Sequence, residues 1–201
     1  MRVLGVSLSP RRNGHTTKLI ELALDAAVKE GANVELYSIY GKHIEPCNGC
    51  RECFDTGECP IQDDMQELYK QLLNADGLII GSPVYVYTLA AQAKIFLDRT
   101  VCLNKPNRNL KNKVAGVVVV GGSLGLIDAL KTIYFWIITH EMIPANFIAA
   151  YSLPNIELYN MEKCIESARN LGKQIVKILQ SGFKYPEDIS RVRIAFGTHT
   201  L

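Results

Sequence analysis

Val3-Leu4-Gly5-Val6-Ser7-Leu8-Ser9-Pro10-Arg11-Arg12-Asn13-Gly14-His15-Thr16-Thr17, near the start of the chain, decides how the rest is read. Val3 to Ser7 is a short apolar run of the kind that forms a buried strand. The chain then turns polar. From Thr16 to Glu30 it takes helical spacing, with Leu19, Leu22, Ala23, Ala26 and Ala27 on one face and Gly31 as a stop. The polar joint is chemically pointed. Hydroxyls at Ser9, Thr16 and Thr17 can donate to phosphate oxygens, and Gly14 permits close backbone approach. The first helical turn adds unpaired N–H groups and a positive dipole end. Any one of these residues alone reads more simply as a capped helix after a polar loop; the combined run reads as an anion cradle. The Gly-Lys-Ser/Thr triplet of a Walker loop is missing, and so is G-x-G-x-x-G. A single phosphate, as in FMN, fits better than a di- or triphosphate.

Working outward, strand and helix patterns alternate. Val34 to Ile39 is a second strand. Residues 40–62 lack period and hold four cysteines. Asp64 with Glu67 suggests a capping box opening a helix to about Asn74. Gly77 to Gly81 is a third strand, followed by a loop from Ser82 to Leu89 and a helix from Ala90 to about Thr100. Val114 to Val120 is a continuous β-branched run, as expected of a strand covered on both faces. Gly121 to Gly125 is a loop, Asp128 to His140 a helix, Phe147 to Tyr151 a fifth strand and Met161 to Gln180 a last helix. Five βα units imply an α/β fold: a doubly wound parallel sheet with helices on both faces. Five strands suit the flavodoxin-like order 2-1-3-4-5, whose ligand crevice opens where the strand order reverses. The loops after strands one and three flank that crevice, and the strand-four loop lies beside it. The domain is expected to span 1–181, with a cysteine-rich loop at about 44–62 and a tail over 182–201.

Composition fits this reading. A chain of 201 residues suits one domain and one core. Hydrophobic residues at 48% and charged residues at 21% describe an ordinary globule. A net charge of +2 is too small to imply nucleic acid or a membrane surface as partner. The basic residues Lys105, Arg108, Lys111 and Lys113 read as a solvated loop. The longest apolar run, around Val117 to Val120, falls well short of the roughly 20 residues of a membrane span. The apolar run at the start is too short for a signal peptide. A cytoplasmic protein is therefore expected, where thiols stay reduced and clustered cysteines are metal ligands sooner than disulfides.

Two further loops face the crevice. In Gly81-Ser82-Pro83-Val84-Tyr85-Val86-Tyr87-Thr88, Pro83 is expected to rigidify a turn. Backbone N–H and C=O groups there can pair with the edge of a heteroaromatic ring, while Tyr85 or Tyr87 lies against its face. A plain β-turn with core tyrosines is the competing reading. Gly121, Gly122, Ser123 and Gly125 would let the fourth loop approach the same ring.

The strongest chemical signal is Cys47-x2-Cys50-x2-Cys53-x5-Cys59-Pro60. A cubane cluster needs four thiolates around a compact body, and C-x2-C-x2-C wraps three corners with one local loop. Gly49 and Gly57 allow the tight bends. Zinc prefers two Cys-x2-Cys knuckles on a longer spacer and fits less well. Metal-free redox-active thiols are the other alternative. Cys102 and Cys164 have no partners in sequence and read as core or surface thiols. Trp136, with Tyr134 and Phe135, reads as helix core or interface. His43, His140 and His199 read as structural.

With these residues in view, the chain resembles the NADPH-dependent FMN reductase-like flavoproteins. The likeness rests on Ser9-Pro10-Arg11 with Gly14 and Thr16, and on Gly81-Ser82-Pro83-Val84-Tyr85 with Ala91-Gln92, Lys94, Phe96 and Asp98-Arg99 behind it. Within that group, the Cys47 to Cys59 loop running into Asp63-Asp64-Met65 is similar to the iron–sulfur flavoproteins of anaerobic microbes. The likeness covers roughly residues 2 to 151. Leu8 stands where the family usually has Gly, and His15 where Asn is usual. The resemblance implies FMN, with phosphate held by Ser9, Arg11, His15, Thr16 and Thr17. It implies ring contacts from Pro83, Val84, Tyr85, Tyr87 and Thr88 and from Gly122 and Ser123. It also implies a homo-oligomer in which one subunit's cluster lies near flavin at an interface.

A 4Fe-4S cluster carries one electron and flavin takes one or two. Together they would pass electrons from a one-electron donor such as ferredoxin to a small acceptor. The cofactors do that chemistry and the protein sets distance, potential and access, so no catalytic acid or base is assigned. An NAD(P)H-dependent FMN or quinone reductase is the second reading, and a non-enzymatic redox sensor the third.

Overall fold

The computed structural model describes residues 1–152 and 161–187. Strand β1 (Arg2–Ser7) leads into α1 (His15–Lys29), β2 (Asn33–Ser38), the one-turn helix α2 (Cys53–Thr56) and α3 (Met65–Asn74). Then follow β3 (Gly77–Tyr85), the short β4 (Thr88–Leu89) and α4 (Ala91–Arg99), which tightens into a 3-10 turn over Thr100–Leu103. Strand β5 (Val114–Gly121), α5 (Leu126–Thr139), β6 (Ile143–Tyr151) and α6 (Glu162–Gln180) complete it.

The parallel sheet runs β2-β1-β3-β5-β6, with β4 pairing antiparallel to β3. The expected five-strand order is thus present, and a short sixth strand is added. Because side chains alternate across a strand, each central strand feeds both layers. Leu4, Val6, Leu78, Ile80, Val117 and Val119 pack under α3, α4 and α5 with Leu68, Leu72, Phe96, Ile133 and Trp136. Val3, Ile79, Val118 and Val120 pack on the other face against α1 and α6 with Leu19, Ile20, Ala23, Leu171 and Ile175. That two-sided burial is why β3 and β5 read as unbroken apolar runs. Ser7 registers with Gly81, and Gly81 with Val118, so the loops after β1, β3 and β5 leave the sheet at one end.

Several sequence expectations need correction. Strand β3 continues through Ser82 and Pro83 to Tyr85 and folds back through Val86-Tyr87. Pro83 is therefore a strand residue; β3 and β5 are parallel, and the strand keeps pairing despite the missing N–H. The capping box does not form. No side chain of Asp64 caps α3; its carboxylate accepts from the His43 amide (2.6 Å), and Glu67 pairs with Lys42 (2.9 Å). Asp63 instead accepts from the Met65 amide (3.0 Å). Strand β6 starts at Ile143, four residues early, because Pro144 on an edge strand interrupts the pattern without ending the strand. Helix α5 likewise starts at Leu126 rather than Asp128.

The basic loop is less solvated than its charges suggest. Lys113 donates to the Leu73 and Ala75 carbonyls at the end of α3, and burial pushes its ammonium below the ordinary value. Arg108 and Lys111 both pair with Glu141. Trp136 is core and donates its indole N–H to Thr100 (2.7 Å), whereas Phe135 and Ile138 face outward. Cys102 is buried and Cys164 half-buried, as expected of thiols without partners in sequence, and the buried His140 packs at a tilt against Trp136. Within the expected tail, Tyr185 donates its amide to Asn112 (2.8 Å), and residues 188–201, His199 among them, lie outside the described residues. Among the described residues no helix is long and apolar enough to cross a membrane.

Candidate functional site

At the end of β1 the Leu8 amide donates to the Gly81 carbonyl of β3 (2.8 Å) and its side chain is buried. Leu8, where the resemblance expects Gly, is thus a core residue. The loop then bends on Ser9, whose hydroxyl accepts from the Arg11 amide (3.2 Å). A Cβ on Gly14 would sit 3.1 Å from that same Ser9 oxygen, so the cradle is as tight as a glycine allows. Helix α1 begins with no side-chain cap and no acidic residue in its first turn. Its first amides are therefore available to an anion, and the dipole favours one.

The hydroxyls of the first turn divide. Thr17 is hydrogen-bonded to Ser7 (2.7 Å) and buried, which ties helix to strand. Thr16 is also buried, with its methyl toward Gly81. His15 is half-exposed and its Nδ1 pairs with the Ser152 hydroxyl (2.7 Å), joining α1 to the end of β6. Arg11 is exposed, its guanidinium 5.8 Å from the centre of the Tyr85 ring, so a cation on the first loop overhangs the third.

The β3–β4 hairpin turns on two residues, Val86 (φ +45°) and Tyr87 (φ +71°). A two-residue turn of this kind needs positive φ at both positions and normally takes Asn or Gly. A β-branched residue there is strained, and such strain gathers at functional sites. Both side chains are exposed, Val86 to 87%. Pro83 and Val84 are buried beneath them and Tyr85 is half-buried. Across the crevice Gly122 and Ser123 are exposed. Gly125 adopts φ +96°, and a Cβ on it would overlap the Tyr87 carbonyl. The third and fourth loops are thus in backbone contact, and the surface they share with the first loop is rimmed by exposed Val86, Tyr87 and Leu124.

The cysteine loop leaves β2 and returns at α3. Cys53 is buried at the start of α2, Cys59 is half-buried, and Cys47 and Cys50 are exposed. Gly49 and Gly57 take positive φ, as the expected tight bends require. Among the described residues no three His, Cys, Asp or Glu side chains form a closed metal-ligand set. Burial, then the charges of Cys59, Cys50 and Cys47, push the Cys53 thiol up. A soft, all-sulfur donor set suits iron–sulfur chemistry better than a hard cation.

Two residues at this loop carried no role in the sequence reading. Arg99, fully buried, pairs with Asp63 (2.6 Å) and donates to the Glu45 carbonyl (2.7 Å). Its position three residues after Phe96 puts a cation on the apolar stripe of α4, a signal legible in the sequence.

The family described as NADPH-dependent FMN reductase matches residues 1–151. An iron–sulfur flavoprotein of Methanocaldococcus jannaschii is 37% identical over 193 residues, which is 90% of this chain and 98% of the relative. An iron–sulfur flavoprotein of Methanosarcina thermophila is 38% identical over 145 residues, 71% of this chain and 76% of the relative. Among solved structures, RosB with a bound formylriboflavin phosphate intermediate superposes with a TM-score of 0.73 at 18% identity, covering 100% of this chain and 94% of the other. The NAD(P)H:quinone oxidoreductase of Methanothermobacter marburgensis gives 0.69 at 15%, covering 87% and 98%. At such identities these structures speak for the fold alone.

Proposed function

The chain belongs to the NADPH-dependent FMN reductase family, among its iron–sulfur flavoproteins, and from that premise we propose that it is an electron-transfer flavoprotein holding FMN and a 4Fe-4S cluster. It is a flavin-dependent oxidoreductase. The observation that carries the finer reading is the pairing of an uncapped, acid-free helix N-terminus with a separate all-thiol loop. In this reading Ser9, Arg11, Gly14, His15, Thr16 and Thr17 hold the FMN phosphate. Pro83, Val84, Tyr85, Tyr87, Thr88, Gly122 and Ser123 bind the ring. Cys47, Cys50, Cys53 and Cys59 are the cluster ligands.

Bound there, the cluster supplies one-electron transfer and FMN one- or two-electron transfer, which suits a one-electron donor such as ferredoxin and a small two-electron acceptor. The protein's own part is placement. Arg11 and the α1 amides neutralise a phosphate, and the hairpin and the fourth loop bound a flat ligand on one side. Partner docking has support too: Ile127, Phe135 and Ile138 on α5 and Phe147 and Tyr151 on β6 are exposed apolar residues, which supports a homo-oligomer. The family's NADPH dependence favours a second reading, direct reduction by NAD(P)H. Arg11→Ala combined with Thr16→Ala should release FMN from protein that stays folded, and Cys50→Ala should remove iron while FMN stays bound. Full flavin occupancy in the double variant would refute the phosphate assignment. Wild-type rates of ferredoxin-driven turnover in Cys50→Ala would favour the NAD(P)H reading.

A further inference from the structure

Arg99 is the one charged residue among the largest fully buried side chains of the described chain. A buried ion pair costs desolvation and contributes little net stability, so its presence asks for another reason. The guanidinium reaches both ends of the cysteine loop. Nη1 donates to the Glu45 carbonyl (2.7 Å), two residues before Cys47. Nη1 and Nη2 grip the Asp63 carboxylate (2.6 and 3.1 Å), four residues after Cys59, and Nη2 also points to the Ile61 carbonyl (3.4 Å). Asp63 closes the ring by accepting from the Glu45 amide (2.9 Å). Gln66 also donates to this loop, to the Cys59 and Ile61 carbonyls, but on the returning side only.

The backbone of Arg99 is fixed as well. Its carbonyl accepts from the Tyr69 hydroxyl (2.8 Å) and the Cys102 thiol (3.4 Å). Its Nε–H is buried and has no acceptor among the described residues. A thiolate or a sulfide of a bound cluster is the class of acceptor this N–H lacks.

Helix α4 joins this grip to the flavin loops. It follows the hairpin directly, with the Ala90 amide on the Pro83 carbonyl (3.1 Å), and it ends at Arg99. Nine residues of helix make a rigid strut about 14 Å long.

We propose that Arg99 is the positioning residue of the cysteine loop: it shuts the loop's neck and, through α4, holds the four thiols at a set place relative to the flavin loops. The proposal rests on reading the loop as the iron–sulfur ligand set. It assigns Arg99 a fork that Lys cannot replace, because one ammonium cannot span two carbonyls and a carboxylate.

The test compares Arg99→Met, Arg99→Lys, Asp63→Asn and the paired Arg99→Met/Asp63→Leu in the full chain, purified anaerobically. Iron is measured first. Iodoacetamide labelling of Cys53 and Cys59 is then followed by mass spectrometry after chelation, and FMN affinity reports the fold. Losing the charge-assisted bonds of the neck should speed labelling of both thiols by about tenfold or more in the Met and Lys variants and in the pair. Iron content should fall in each while FMN affinity holds. If Arg99→Met also loses FMN, Asp63→Asn decides, because it keeps both carbonyl bonds and should speed labelling less than Met does but measurably. Labelling and iron at wild-type levels in the paired variant, or full rescue by Lys, would overturn the proposal. Wild-type protein without iron would refute the cluster reading instead and leave the labelling comparison valid.

Discussion

Substituting Gly125 by Ala isolates the contact that binds the third loop to the fourth. Two costs follow from the structure. At φ +96° a side chain meets left-handed strain of about 1–2 kcal/mol. The added Cβ would also overlap the Tyr87 carbonyl, a backbone group that moves only if the hairpin moves. Overpacking of this kind costs about 1–3 kcal/mol. Reduced freedom of the unfolded chain stabilises by about 0.4–1 kcal/mol, which leaves a net loss of about 2–4 kcal/mol. Gly31→Ala is the control, with φ +91° and nothing within 4 Å of the new Cβ, so it carries the strain alone. Urea unfolding of both variants measures the difference, expected at about 2 kcal/mol, or roughly 1 M in midpoint. Flavin fluorescence titration should show FMN affinity falling about tenfold in Gly125→Ala, equivalent to about 1.4 kcal/mol, and unchanged in Gly31→Ala. If the two variants unfold within about 0.5 kcal/mol of each other and bind FMN equally, the loops are not coupled through this contact.

Val86→Asn should stabilise the protein by about 1 kcal/mol in the same urea assay, because Asn tolerates positive φ and an exposed Val loses no packing; an unchanged midpoint would remove the strain argument. For Asp63, burial alone would raise the carboxyl, but Arg99 and the Glu45 and Met65 amides outweigh it and hold it below the ordinary value of 3.8. Its contribution is therefore complete above that value and is lost as pH falls through the lower folded value. Asp63→Asn should show a shallower loss of stability than wild type below about pH 4 in acid titrations followed by circular dichroism, and parallel curves would contradict the assignment. Phe135→Glu should shift any oligomer toward monomer at micromolar concentration in sedimentation, while a partner interface elsewhere would leave the distribution unchanged.

The sheet was legible because its central strands announce themselves. Val114 to Val120 and Leu78 to Ile80 are buried on both faces, so every residue is apolar and the runs stand out from their polar flanks. The cradle at Ser9 to Thr17 and the thiol spacing were legible for a similar reason, since local chemistry is written in adjacent residues. What escaped was non-local. Whether Asp64 caps its helix or binds the His43 amide depends on a loop folding back across 21 positions. Lys113 reads as solvated until α3 brings two carbonyls to it. The strained Val86-Tyr87 turn has no Asn or Gly to mark it. Arg99 is the plainest case: its three acceptors lie 36 to 54 residues away, and only the fold shows that they flank one loop.

Cofactor analysis of anaerobically purified protein decides whether one chain carries flavin and an iron–sulfur cluster in separate loops. Iron, acid-labile sulfide, zinc and FMN are quantified per chain. One FMN is expected with roughly four irons and as many sulfides, the content that four cysteine ligands around a cubane imply. Zinc at the cysteines, or protein free of flavin that cannot be loaded with FMN, would contradict it.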